Sequence, residues 1–200
     1  MDELLKIFLP IYSLAFIFIV FIARIYIVSR QNGKSAYVLF NQDGVHGIIG
    51  FYFKVLPLFS LCAVVVYSFF PAHYDYLGPI SLFELDSLAV IGVSLLLLSL
   101  IWVWVAQSNM GNSWRIGIDT DEKTELRMTG LFTLSRNPIY LGMKVNVIGF
   151  FLTIPNALTL TVLVTVIALI DIQVELEEEY LQKMHGEDYL NYQKKVRRWI

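Results

Sequence analysis

Apolar residues run along this chain in long blocks, and the polar residues gather between them. Residues 4–23 are nearly all apolar, interrupted by Lys6 and Pro10. A second block covers 51–70, with Lys54 near its start, and a third, 88–106, carries no charge. The fourth covers 139–154 and the fifth 157–174, with Asp171 near its end. Blocks this long and this poor in charge predict membrane-spanning helices. The fourth rises only about 24 Å as a helix, short of a hydrocarbon core of roughly 30 Å. Pro155-Asn156 is a tight connection to the fifth block, so the last two form a helical hairpin with both outer ends on one side. That hairpin either spans the bilayer or is re-entrant. No small-residue cleavage site follows the first block, which reads as a retained helix.

The polar segments orient these helices. Segment 71–87 and the Pro155-Asn156 turn hold no Lys or Arg. Arg24, Arg30 and Lys34 follow the first block, and Arg115, Lys123, Arg127 and Arg136 follow the third. The tail holds Lys183, Lys194, Lys195, Arg197 and Arg198. Lys/Arg excess marks the cytoplasmic side. The expectation is five crossings, the N-terminus outside and the C-terminus cytoplasmic, in the plasma membrane if the source is prokaryotic. On a helical wheel Tyr189, Tyr192, Val196 and Trp199 share one tail face, with Lys194, Lys195 and Arg198 opposite. That pattern suits an amphipathic helix lying among lipid headgroups.

Composition agrees and narrows the classes. Hydrophobic residues make up 56% of the 200, and charged residues only 16%. The expected fold is all-α: one polytopic membrane bundle over 1–200, with three helices in 1–110 and the hairpin and tail in 111–200. The net charge is −2, and no basic stripe interleaves with aromatics, so nucleic acid is not an expected partner. The single Cys62 rules out an internal disulfide framework. His46, His73 and His185 have no metal-ligand spacing, so no metal is expected. Glycine-rich dinucleotide, phosphate-loop and serine-elbow motifs are missing as well.

Candidate chemistry flanks the hairpin. With Asp171 at 0° on the helical wheel, Glu175 and Glu178 fall within about 40° of it, whereas Glu177 falls at about 240°, on the apolar face. A carboxylate inside a membrane bundle is costly without a partner. Its partner is either a ligand cation or an arginine, Arg136 or Arg115, in a purely structural pair. At the other end of the hairpin, Arg136-Asn137-Pro138 reads most simply as a helix start, with Asn as N-cap and Pro at the first helical position. A helix N-terminus also presents free N–H groups to a ligand carboxylate, which Arg136 would help to hold. Gly130 and Gly142 would let the backbone approach closely.

These residues, in this order, resemble the membrane methyltransferases of the isoprenylcysteine carboxyl methyltransferase and phospholipid methyltransferase group. That group's pattern is a Gly, then Arg-His-Pro-x-Tyr-x-Gly, Glu-Glu-x-x-Leu and Gly-x-x-Tyr-x-x-Tyr-x-x-x-Val. This chain has Gly130, then Arg136-Asn137-Pro138-Ile139-Tyr140-Leu141-Gly142, then Glu177-Glu178-Glu179-Tyr180-Leu181, then Gly186 with Tyr189, Tyr192 and Val196. The resemblance implies methyl transfer from S-adenosylmethionine to a carboxylate or other nucleophile of a lipophilic substrate, which would reach the site from the surrounding membrane lipids. It places the cofactor against Thr124, Glu125, Leu126, Arg127, Phe132, Arg136, Asn137, Pro138, Ile139, Tyr140 and Glu177. It also places Gln173 at the substrate, where the isoprenylcysteine branch carries an Arg. Asn137 stands where the pattern has His, and Phe132 where a Tyr often occurs. The chain offers no strong general base besides Glu177. That favours a carboxylate or thiolate acceptor over an amine, which must first lose a proton. The alternatives are a phospholipid amine methyltransferase, an NADPH-dependent enzyme of the sterol-reductase type and a non-enzymatic membrane scaffold.

Overall fold

The computed structural model describes residues 2–33, 44–111 and 126–200. These form seven α-helices: α1 Asp2–Ile17, α2 Arg24–Asn32, α3 Val45–Phe69, α4 Asp86–Met110, α5 Pro138–Thr153, α6 Ala157–His185 and α7 Glu187–Lys195. No strand occurs among the described residues. Among the described residues four apolar spans are long enough to cross a membrane, Asp2–Gln31, Gly47–Phe69, Asp86–Met110 and Ala157–His185, and α5 is the shorter apolar helix of the hairpin. This is an all-α polytopic membrane bundle.

The first span is longer than its apolar block suggests. α1 and α2 are joined without a break by a π-helical turn, Phe18–Ala23. A π turn displaces one backbone acceptor from the regular ladder. Here the buried Gln107 of α4 donates to the Val20 carbonyl at 3.0 Å. Both faces of α1 are apolar, and they divide by location. Leu5, Leu9, Tyr12 and Phe16 are buried, while Leu4, Ile7, Ile11 and Leu14 stay more than 60% exposed. An apolar stripe facing outward at helical spacing is a lipid-facing surface.

α4 and α5 pack closely because small residues line their contact. A Cβ on Gly149 would lie 3.0 Å from the Gly92 carbonyl oxygen and from Leu96 Cγ. Membrane helices use such small residues to gain backbone contact, since lipid supplies no hydrophobic drive between them. A polar knot crosses the same region: Asn146 of α5 donates to the Tyr12 hydroxyl and to Ser99, and Tyr12 donates to the Leu96 carbonyl at 2.8 Å. A second apolar cluster, Leu56 with Val162, Val166, Ile170 and Val174, joins α3 to α6.

One end of the bundle is stitched together by loop backbone. Ile80 N–H donates to the Pro155 carbonyl, and Ala157 N–H donates to Gly78, each at 2.9 Å. Asn156 and Thr159 form a reciprocal cap on α6. The two connections that lack Lys and Arg therefore share one end, and the polar motif residues lie at the other.

Candidate functional site

α6 outruns α5, so its last turns bring Glu177 and Glu178 level with the start of α5. Glu177 is half-buried and accepts a hydrogen bond from the Tyr140 hydroxyl at 2.9 Å. The Gln173 amide stands against the same hydroxyl, and Gln173 is only 2% exposed. Its Oε1 finds no hydrogen-bond partner among the described residues. No ion pair reaches Glu177 among them either.

Arg136 is instead paired with Glu178. Its Nη2 lies 3.1 and 3.0 Å from the two Glu178 oxygens, and its Nε lies 3.3 Å from Oε1. Arg198 adds a second cation, with Nη2 at 2.8 Å from Glu178 Oε2 and Nη1 at 2.7 Å from Glu175. The Glu178 carboxylate holds the Arg198 guanidinium above the ordinary arginine range. Asn137 Nδ2 completes the cluster at 2.9 Å from Glu178 Oε1. Glu178 is 4% exposed. The helical wheel had assigned it to the polar face with Glu175, and the structure corrects that placement. The wheel sees only the periodicity of α6; the flank it marks as polar is covered by the C-terminal tail.

That tail departs from the single amphipathic helix expected of it. α7 ends at Lys195, and Val196 is extended, with φ −125° and ψ 133°. Tyr189 and Tyr192 turn inward from α7 as expected, while Lys194 and Lys195 stay exposed. Burial pushes the Tyr192 hydroxyl up to about 12, and it donates to the Phe132 carbonyl at 2.6 Å. Residues 196–200 then lie as a strap across the start of α5. Arg136 N–H donates to the Arg197 carbonyl at 2.9 Å, and Arg136 Nη1 to the Val196 carbonyl at 2.7 Å. Ser135 Oγ donates to the Arg198 carbonyl at 3.0 Å. Trp199 packs against the α3–α6 cluster, and Lys144, paired with Asp171, sits 3.8 Å from the centre of its ring. Sequence reasoning counted Arg198 only as tail charge. The one available signal was that an extended segment alternates its side chains, so Arg198 turns inward while Arg197 stays exposed.

Pro138 occupies the first position of α5, as expected, but Asn137 does not cap it with its side chain. Among the other expected site residues, Phe132 and Pro138 are buried, and Leu126, Arg127 and Ile139 are half-buried. Thr124, Glu125 and Arg115 lie outside the described residues. Gly142 does allow a close approach, but the approach is to α4: a Cβ there would lie 2.5 Å from Val103 Cγ2. Gly130 has φ +63° and packs against Asn109, whose Oδ1 accepts from Leu131 N–H at 2.9 Å.

The sequence pattern of the family described as Phospholipid methyltransferase matches residues 88–188, from α4 into the start of α7. The chain belongs to this family. A Saccharomyces cerevisiae relative, Protein-S-isoprenylcysteine O-methyltransferase, is 29% identical over 110 residues, which is 54% of this chain and 46% of the yeast protein. The chain thus matches about half the length of that relative. An uncharacterized protein of Haemophilus influenzae is 32% identical over 63 residues, 31% of this chain and all of that protein. The family match and the long apolar helices together describe an integral membrane protein of a methyltransferase family. The matched stretch contains both Asn137–Tyr140 and Glu177–Glu178, and it ends before the strap.

Proposed function

We propose that the protein transfers a methyl group from S-adenosylmethionine to a lipophilic acceptor, at the junction of Asn137, Pro138, Ile139 and Tyr140 with Glu177. One observation carries this reading. Glu177 is a half-buried carboxylate at the end of a membrane bundle, and its one hydrogen-bond partner among the described residues is a neutral hydroxyl. Of the two arginines a purely structural pair could use, Arg136 is committed to Glu178, and Arg115 lies outside the described residues. A carboxylate so placed is stabilised by a ligand cation. The cofactor fits, because it carries both an ammonium and a sulfonium, and the buried Gln173 oxygen beside Glu177 also lacks a donor among the described residues.

When bound, S-adenosylmethionine supplies an already activated methyl group, so the protein's task is positioning. Tyr140 fixes the Glu177 carboxylate by hydrogen bonding, and the buried Gln173 lies beside them. Trp102 Nε1 donates to the Pro138 carbonyl at 2.8 Å and so anchors the start of α5 to α4. Leu126, Arg127 and Phe132 would border the cofactor from the preceding segment, with Thr124 and Glu125 before them. Glu177 is occupied by Tyr140, and a carboxylate or thiolate acceptor needs no base, so such an acceptor suits the site better than an amine. The yeast relative's name, an O-methyltransferase of isoprenylcysteine, points the same way. The second reading, a phospholipid amine acceptor, draws on the family's description. The tail and the site are proposed to face the cytoplasm, where soluble cofactor is available.

The test is calorimetry on the detergent-solubilised protein. Binding of S-adenosylhomocysteine with a micromolar constant, about −8 kcal/mol, is the expected result. A folded preparation that fails to bind it rejects the cofactor. Incubating membranes with methyl-labelled cofactor and identifying the labelled product then names the acceptor.

A further inference from the structure

The amide of Asn137 has only one chemically allowed orientation. Its partner is the ionised, doubly arginine-paired Glu178, which can only accept hydrogen bonds. Nδ2 must therefore face Glu178 Oε1, at 2.9 Å, and its second hydrogen points toward the Arg198 carbonyl of the strap at 3.5 Å. Both donors are consumed inside the protein. The oxygen Oδ1 does not cap α5, and among the described residues only Nδ2 of this amide is engaged; Asn137 is 8% exposed, and Oδ1 is not sealed from the surface. An Asn at the start of a helix ordinarily turns its oxygen back to cap the helix N–H groups. Here Glu178 holds the side chain away from that role. Nearby, the buried Gln173 Oε1 also finds no hydrogen-bond partner among the described residues.

Resting on the cofactor reading above, we propose that Glu178 is a positioning residue. It turns Asn137 oxygen-outward, so the ligand edge that meets Asn137 is an N–H or O–H donor rather than a carboxylate. The strap contributes through the Arg198 guanidinium and carbonyl, which lie beyond the segment the family pattern matches. The buried charge of Glu178 thus has a use besides joining the tail to α5: it chooses which end of an amide the ligand meets.

The test exchanges the two groups. Asn137→Asp sets a carboxylate against Glu178. Glu178→Gln lets Asn137 turn either way. Asn137→Asp with Glu178→Gln restores one amide facing one carboxylate, again with an oxygen turned toward the ligand. Asn137→Leu keeps the volume but offers no acceptor. S-adenosylhomocysteine affinity and melting temperature are measured on the full chain in detergent. Each single exchange should weaken binding at least about fivefold, and Asn137→Leu about tenfold, with a lowered melting temperature because Glu178 and the Arg198 carbonyl each lose a donor. The double exchange should return binding to within about threefold of the parent. A double exchange no better than the weaker single, or an Asn137→Leu variant that binds like the parent, overturns this inference and leaves the cofactor reading standing. A folded parent protein that does not bind S-adenosylhomocysteine overturns the cofactor reading itself.

Discussion

Gly142→Ala tests whether the glycine of the Arg136 to Gly142 motif serves helix packing. The added Cβ would stand 2.5 Å from Val103 Cγ2 and 3.0 Å from Trp102 Cδ1. Carbon atoms pack at about 3.5–4.0 Å, so something must move by roughly an ångström. Overpacking of this kind costs about 1–3 kcal/mol, offset by about 1 kcal/mol of helix propensity. The net expected loss is up to about 2 kcal/mol. Val103 is fully buried, so Val103→Ala alone should also destabilise, through a cavity. Together the two changes leave room for the new methyl, and their coupling should be favourable by about 1–2 kcal/mol. Equilibrium unfolding by titrating SDS into mixed micelles measures all three variants. Shifting α5 also disturbs the Trp102 to Pro138 hydrogen bond, so Gly142→Ala should raise KM for the methyl donor, and Val103→Ala should bring it back toward the parent value. Additivity within about 0.5 kcal/mol, with KM unchanged, would refute the packing explanation.

Three further outcomes are expected. Glu177→Gln should weaken S-adenosylhomocysteine binding by about 1.5–3 kcal/mol, the range of a hydrogen bond to a charged group; calorimetry showing unchanged affinity would remove Glu177 from the site. The native protein should be a poor catalyst on prenyl-cysteine analogues, because the neutral Gln173 does not select a carboxylate, and Gln173→Arg should improve turnover. Efficient methylation of such an analogue by the unmodified chain would sink that expectation. In a Cys62→Ser background, a membrane-impermeant thiol reagent applied to intact cells should label Ser81→Cys and spare Asn191→Cys; the reverse pattern overturns the orientation.

Much of the architecture was legible because membrane helices announce themselves. A bilayer demands a long apolar block from each span, and every such block in the sequence became a helix in the bundle. The Pro155-Asn156 hairpin turn and the helix start at Pro138 were legible for the same reason: both rest on local backbone chemistry. Element ends were less visible. The first helix runs on through a π turn that Gln107 supports from another helix, and no local signal records that support. Glu178 shows the same limit inside the site. Its wheel position was correct for an isolated helix, yet the strap from the far end of the chain buries it.

The sequence by itself determined that this is an all-helical membrane protein, that its positive charge lies in particular loops, and which residues stand in the order of a methyltransferase motif. These properties depend on residues near one another in the chain and on the bilayer's demand for apolar length. Only the tertiary structure decided which carboxylate pairs with which cation. Arg136, Glu178 and Arg198 are spread over 62 positions, and Arg136 and Glu178 alone are 42 apart. Wheel geometry cannot rank Glu177 against Glu178 once a distant segment covers one flank of the helix. Among the described residues the fold gave Glu178 both arginines and left Glu177 with a neutral hydroxyl, because charges inside a bundle must be paired by whichever cation the chain's path brings within reach.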